Sequence, residues 1–120
     1  MKRLGITWLG HGTFLLTSPG GKRILIDPWL EGNPCCPEEW KRVSNVDLIL
    51  VTHGHADHIE DLLQTVRDTG APVVAIVEIC QWLKVKGVQR LCPMNKGGTF
   101  TFDDILVSMV PAEHSSGWIE

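Results

Sequence analysis

Three of the five histidines in this chain lie within six residues, in the segment 52–58, which reads THGHADH. Asp57 adds a carboxylate to the same segment. Imidazole nitrogens and carboxylate oxygens are the ligands that zinc and related divalent ions take in proteins. Solvated histidines in a polar turn are the alternative, but such uneven placement of histidine favours ligands. The segment therefore predicts a metal site built on a tight turn.

The flanks of this segment predict a strand before it and a helix after it. Residues 46–51 form a nearly continuous apolar run, which is typical of a strand buried on both faces. Apolar residues then recur at helical spacing, and Gly70 with Pro72 provides a stop, which predicts a helix from about His58 to Thr69. The histidines are thus expected at the carboxyl end of a buried strand.

Short β-type runs at 4–9, 13–17 and 23–27, separated by glycine-rich turns, predict an antiparallel meander. Pro28 cannot donate to a strand ladder, so the third strand should end at Asp27. A carboxylate is therefore expected at that strand end.

The rest of the chain predicts further alternation of strand and helix. A long loop at 29–44 should hold one helical turn, at about 38–42. A strand at 73–77, a helix at 78–86 and a strand at 88–92 follow, and a hairpin pairs 99–102 with 105–110. This pattern predicts one α/β domain over residues 1–120.

Composition limits the partners and the compartment. The formal net charge is −3 and no basic run occurs, so nucleic acid is not an expected partner. No apolar run approaches the roughly 20 residues that a spanning helix needs, and the N-terminus lacks the pattern of a signal peptide, so we expect a cytoplasmic protein without a membrane segment. The four cysteines form no C-x-x-C pair, which favours reduced thiols.

The motif H-x-H-x-D-H after a buried strand resembles that of the metallo-β-lactamase superfamily of binuclear metal hydrolases. Four further segments resemble the branch of metal-dependent hydrolases related to ascorbate-6-phosphate lactonase: residues 8–14 (WLGHGTF), 26–28 (IDP), 94–98 (MNKGG) and 111–116 (PAEHSS). The resemblance implies an αββα sandwich of two similar halves, of which this chain matches the first.

The resemblance also implies a set of metal ligands. It assigns His53, His55 and His114 to a first ion, and Asp57 and His58 to a second. The expected ion is zinc, with manganese and iron as alternatives, because histidine and carboxylate sites accept all three.

Other residues have competing interpretations. The resemblance implies that Asp27 orients the site, since a ligand imidazole commonly donates its other N–H to a carboxylate. His11, in a glycine-flanked turn, either lies near the metals or only holds its loop. Asp57 has a second interpretation, because Asp at a helix start with Glu60 three residues later is similar to a capping box. Trp29 could line the mouth of the site.

Two serines next to His114 also have two interpretations. Ser115 and Ser116 could contact substrate, or they could bond their own backbone in a turn, and the sequence favours the local turn.

In the resembled family, a later aspartate that bridges the two metals and a final histidine come from the second half of the fold. The sequence therefore predicts a truncated or partial form of a longer hydrolase, whose binuclear site is incomplete in this chain. The inner face of the first sheet should then expose apolar surface. Either the missing C-terminal half or self-association would have to cover it.

The leading functional prediction is a metal-dependent hydrolase of a small-molecule substrate, in which metal-activated hydroxide attacks an ester, lactone or phosphoester bond. Asp57 would orient the hydroxide or assist proton transfer. The alternative is a non-catalytic metal-binding or interaction half-domain. A nuclease is disfavoured by the acidic balance.

Overall fold

The structure is a computed structural model that describes residues 2–117. One six-stranded sheet has the strand order β1-β2-β3-β4-β5-β6, and a separate two-stranded hairpin joins β7 to β8. The strands are β1 (Gly5–Trp8), β2 (Phe14–Thr17), β3 (Arg23–Ile26), β4 (Leu48–Leu50), β5 (Val73–Ile76), β6 (Leu91–Met94), β7 (Thr99–Phe102) and β8 (Ile105–Ser108). The helices are α1 (Ala56–Ile59), α2 (Leu62–Thr69) and α3 (Val77–Val85), with a 3₁₀ turn at Glu38–Trp40.

The sheet changes from antiparallel to parallel at β3. Strands β1, β2 and β3 pair antiparallel, as the predicted meander requires, whereas β3 to β6 pair parallel. In the register of β3 and β4, Ile26 lies opposite Leu50, and the Asp27 N–H donates to the Leu50 carbonyl at 3.0 Å. Asp27 is therefore beside the start of the histidine segment, because the carboxyl ends of parallel strands meet at one sheet edge.

The predicted single helix from His58 to Thr69 is wrong, because the chain forms two helices, α1 and α2, separated at Asp61. Asp61 has φ −101° and ψ 12°, and its Oδ2 accepts the N–H groups of Leu30 at 2.5 Å and Glu31 at 3.2 Å. These bonds from a distant loop stabilise the break. The capping interpretation of Asp57 is also wrong, because His55 is the N-cap residue of α1 and makes no side-chain cap bond.

The strand predicted at 88–92 is displaced. The Val88 N–H donates to the Leu83 carbonyl at 3.0 Å, so this residue closes the end of α3, and β6 begins at Leu91. Strand β6 includes Pro93, which cannot donate to a ladder but is tolerated because β6 lies at the edge of the sheet. The predicted helical turn near 38–42 is present as the 3₁₀ turn.

Each face of the sheet has its own apolar cluster. One face packs against the helices and the long loop. On the other face, Ile24, Leu48, Val74 and Met94 are buried, and apolar residues of the β7–β8 hairpin pack against them. The hairpin therefore covers part of the face that the sequence predicted to be exposed. Strand β1 remains open, with Ile6 at 64% and Trp8 at 58% exposure.

Within residues 2–117, no helix has both the length and the apolar character that crossing a bilayer requires. The four cysteines are free thiols. Burial raises the pKa of the Cys80 thiol to about 11, so this side chain is a poor nucleophile at neutral pH.

Candidate metal centre

The histidine segment begins in the turn after β4 and ends inside α1, at the carboxyl edge of the sheet. His53, His55 and His58 are all partly buried. The rings of His53 and His58 are 4.1 Å apart between centroids, and those of His53 and His55 are 4.7 Å apart. The turn after a buried strand and the helix that follows it thus bring three imidazoles together.

His114 completes a group of three histidines. Its ring centroid lies 4.7 Å from that of His53 and 5.2 Å from that of His55. The Nε2 atom of His53 and the Nδ1 atom of His55 are 3.0 Å apart. Two donors bound to one tetrahedral zinc ion lie about 3.3 Å apart, given zinc–nitrogen bonds of about 2.0–2.1 Å. The spacing of these nitrogens is therefore close to what one ion requires.

The segment that carries His114 is tied to the histidine turn by two serines. The Gly54 N–H donates to Ser116 Oγ at 3.1 Å, and Ser115 Oγ lies 3.5 Å from His55 Nε2. Both contacts span about sixty residues of sequence, so within residues 2–117 these serines contact a distant segment of the chain. Ser116 instead holds the loop of His114 against the cluster.

A buried carboxylate organises the base of the site. Asp27 is 2% exposed, and its Oδ1 accepts the Thr52 N–H at 2.7 Å. Its Oδ2 accepts the Thr52 hydroxyl at 2.5 Å and the Nδ1–H of His58 at 2.7 Å. Asp27 is also near enough to His53 and His58 to be counted as a ligand itself. Its three accepted hydrogen bonds favour an orienting role over direct metal binding.

These bonds decide which ring nitrogens are free. The only hydroxyl proton of Thr52 is donated to Asp27, so the oxygen accepts from His53 Nδ1, which lies 2.9 Å away. His58 likewise uses its Nδ1–H on Asp27. In the neutral form of both rings, Nε2 is therefore the unprotonated nitrogen that a metal ion can bind. Sequence reasoning missed Thr52, although its place directly before the histidine motif and beside the end of β3 was a usable signal.

Electrostatics keep His53 in the neutral form that binds metals. Burial and the neighbouring His58 lower the pKa of His53, and Asp27 opposes this shift only in part. Protons therefore compete with a metal ion for His53 less than they would for an ordinary histidine.

A second group of donors lies beside the first and consists of His11, Asp57 and His58. Asp57 Oδ1 is 3.9 Å from His58 Nε2, and Asp57 Oδ2 is 2.8 Å from His11 Nε2. Burial acts to raise the pKa of Asp57, but the hydrogen bond from His11 and the charge of His58 outweigh it and lower that pKa. Asp57 is therefore ionised at neutral pH.

Trp29 stands at the edge of this second group. Its ring meets the His11 ring edge-on, with centroids 5.4 Å apart. Trp29 is partly exposed.

The donor chemistry fits a divalent ion of the first transition series. In the described residues, the candidate groups contain only imidazole nitrogens and carboxylate oxygens, and no cysteine. In each group the candidate ligand atoms lie within 4.8 Å of one another. Such donors suit zinc, manganese or iron, whereas calcium and magnesium prefer oxygen ligands alone.

Comparison with known proteins identifies the family. The family model of the beta-lactamase superfamily domain matches residues 22–120. The chain belongs to the metallo-β-lactamase superfamily. It is 51% identical, over 117 residues, to a UPF0173 metal-dependent hydrolase of Koribacter versatilis, and the match covers 98% of this chain and 50% of that relative. The chain thus spans about half the length of the curated relatives it matches.

Solved structures agree with this membership. Igni18, a metallo hydrolase of the archaeon Ignicoccus hospitalis, matches with a TM-score of 0.81 and 37% identity over 94% of this chain and 50% of that chain. CmlA, a diiron β-hydroxylase of Streptomyces venezuelae, matches with a TM-score of 0.72 and 20% identity over 92% of this chain and 24% of that chain, which shows the fold alone. The predicted metallo-β-lactamase-like α/β fold is confirmed, and so is the relationship to metal-dependent hydrolases.

Proposed function

We propose that this metallo-β-lactamase-fold chain carries the metal-binding part of a hydrolase that cleaves an ester, lactone or phosphoester bond in a small molecule. The observation that carries the proposal is the cluster of His53, His55 and His114, with the Asp57–His58 pair directly beside it. The metal-dependent hydrolases to which the chain is related support the reaction class. Motifs similar to those of ascorbate-6-phosphate lactonase favour a lactone or a phosphorylated sugar acid as substrate.

Each group of donors has its own part in this proposal. His53, His55 and His114 would hold one ion, and Asp57 with His58 would contribute to a second. A bound divalent ion polarises a carbonyl or phosphoryl oxygen and makes water a nucleophile near neutral pH. Zinc is the expected ion, with manganese or iron as alternatives.

Asp57 would orient the attacking water rather than act as a strong base. Its lowered pKa makes the carboxylate a weak proton acceptor at neutral pH. The same low pKa keeps the carboxylate charged, so it can accept a hydrogen bond from water or coordinate a metal ion. Asp27, which already accepts three hydrogen bonds, would keep the histidines in place.

The test is hydrolysis by the purified chain loaded separately with zinc, manganese and ferrous iron. A generic phosphodiester and a panel of lactones serve as substrates, and a His53→Ala/His55→Ala double variant serves as control. We expect turnover that the double variant and a chelator both abolish. Bound metal without turnover on any substrate would instead support the second candidate, a non-catalytic metal-binding half-domain.

We further propose that the open part of the inner sheet face is covered in the functional protein, either by a further segment of a longer chain or by self-association. Ile6 and Trp8 are exposed on β1, and a cavity of about 310 Å³ remains between the sheet and the hairpin. No nucleic-acid or membrane partner is proposed, in keeping with the charge of −3.

Replacement of both Ile6 and Trp8 by serine should separate these possibilities. If copies of this chain associate through the β1 face, light scattering should show a dimer for the parent chain and a monomer for the double variant, because the apolar contact is lost. Leu106→Ser with Val85→Ser is the matched control, because both side chains are exposed and neither lines this cavity. A monomeric parent chain would exclude self-association and leave the further segment.

A further inference from the structure

His11 points directly at Asp57 from a different part of the chain. Its Nε2 lies 2.8 Å from Asp57 Oδ2, although the two residues are 46 positions apart. The other carboxylate oxygen, Oδ1, faces His58 Nε2 at 3.9 Å. Asp57 itself is 44% exposed and lies in the four-residue helix α1. Without a second partner, such a side chain would sample several rotamers.

The backbone of His11 is strained in a way that favours a functional role. Its φ is +53°, in the left-handed region that few non-glycine residues adopt. Of the three non-glycine residues with positive φ in the part of the chain that the structure describes, two, His11 and Asp27, belong to this site. A non-glycine residue in this region persists only where its surroundings enforce the conformation.

The turn around His11 is enforced from several directions. The buried Asn33 donates through Nδ2 to the Gly10 carbonyl at 3.0 Å, and Trp8 Nε1–H donates to the His11 carbonyl at 2.9 Å. A Cβ atom on Gly10 would lie 2.8 Å from Asn33 Oδ1, so this position must be glycine. A Cβ atom on Gly12 would lie 2.7 Å from His58 Cε1, so the turn is packed against the histidine itself.

We propose that His11 is a positioning residue that holds the carboxylate of Asp57 in the orientation needed for the second metal position. By donating its Nε2–H to Oδ2, it keeps Oδ1 on the side of His58, where both can serve one ion. The inference rests on the proposed metal centre. It differs from a direct ligand role for His11, because the proton donated to Asp57 occupies the nitrogen that would otherwise bind metal.

Calorimetric titration of the full 120-residue chain with Zn²⁺, together with Co²⁺ absorption spectra, tests this inference. The variants are His11→Ala, His11→Gln, which keeps an N–H donor, and His11→Asp, which offers a ligand oxygen but no donor. We expect His11→Ala to weaken binding of the second equivalent of Zn²⁺ about 10–100-fold, as for loss of an orienting partner. The affinity for the first equivalent should be unchanged. His11→Gln should recover most of this loss, and His11→Asp should not.

Three results would overturn the inference. The first is unchanged affinity for the second zinc ion in His11→Ala. Another is binding of the second zinc ion that His11→Asp preserves and His11→Gln loses, which would make His11 a ligand. The third is a parent chain that takes up only one ion. Two bound ions without turnover would contradict the proposed hydrolase and leave the positioning role intact. Urea unfolding of the ion-free variants checks that each one folds.

Discussion

Replacing His114 with alanine should weaken zinc binding at the three-histidine group by more than the roughly 10–100-fold that loss of an orienting hydrogen-bond partner costs. His114 is exposed, and it is the only member of the group that comes from the chain after β8. The substitution removes a ligand nitrogen but little buried surface. Two donors, His53 and His55, would remain, which is one fewer than the three protein ligands of ordinary catalytic zinc sites.

Competition with a chromophoric chelator measures this loss of affinity. Glu113→Ala is the matched control, since it changes the exposed neighbour of His114 but belongs to none of the donor groups found in the described residues. The control should bind zinc like the parent chain, and both variants should unfold at the same urea concentration. Zinc affinity in His114→Ala equal to that of the control would remove His114 from the site.

The position of the histidine segment could be predicted because it depends on local pattern. A continuous apolar run predicts a buried strand, and residues at the carboxyl end of β4 necessarily lie beside the end of the parallel strand β3. This pairing explains why Asp27, which the family resemblance assigned to the site, lies close to His53 although the two are far apart in sequence. The superfamily motif then indicated His114, which no periodicity in the sequence connects to the cluster.

Other features depend on contacts that local pattern does not contain. The break between α1 and α2 exists because Asp61 accepts backbone N–H groups of Leu30 and Glu31, and helical spacing of apolar residues continues straight through it. Strand β6 is displaced because Val88 closes α3 instead of opening a strand. The role of Thr52 becomes visible only when the side chain of Asp27 is seen within hydrogen-bonding distance.

Replacing Asp27 with asparagine should weaken both metal positions and destabilise the ion-free protein. Asparagine tolerates the left-handed φ of +50° at this position, so the backbone can stay as it is. Its amide N–H₂ would however face a donor in either orientation, because Oδ1 now accepts the Thr52 N–H and Oδ2 accepts from the Thr52 hydroxyl and His58. A buried donor without an acceptor costs about 1–3 kcal/mol, so we expect a loss of this size or more in the free energy of unfolding.

The matched variant is Thr52→Val, which keeps the shape of the side chain but removes the hydroxyl. It should leave the Nδ1–H of His53 without its hydrogen-bond acceptor and keep the hydrogen bond between Asp27 and His58 intact. We therefore expect Thr52→Val to weaken only the first equivalent of zinc, by about 10–100-fold. Thr52→Ser should restore it.

Urea unfolding in the presence of a chelator, combined with zinc titration, separates the two parts of the effect. If Asp27 acts through ring orientation, then Asp27→Asn must reduce the affinity of both equivalents, whereas Thr52→Val reduces one. Equal losses in the two variants would mean that Thr52, rather than Asp27, connects the positions. Unchanged zinc affinity in Asp27→Asn, together with lower stability, would leave the carboxylate a purely structural role. One buried carboxylate that orients His53 and His58 at once makes the two metal positions dependent on the same strand end.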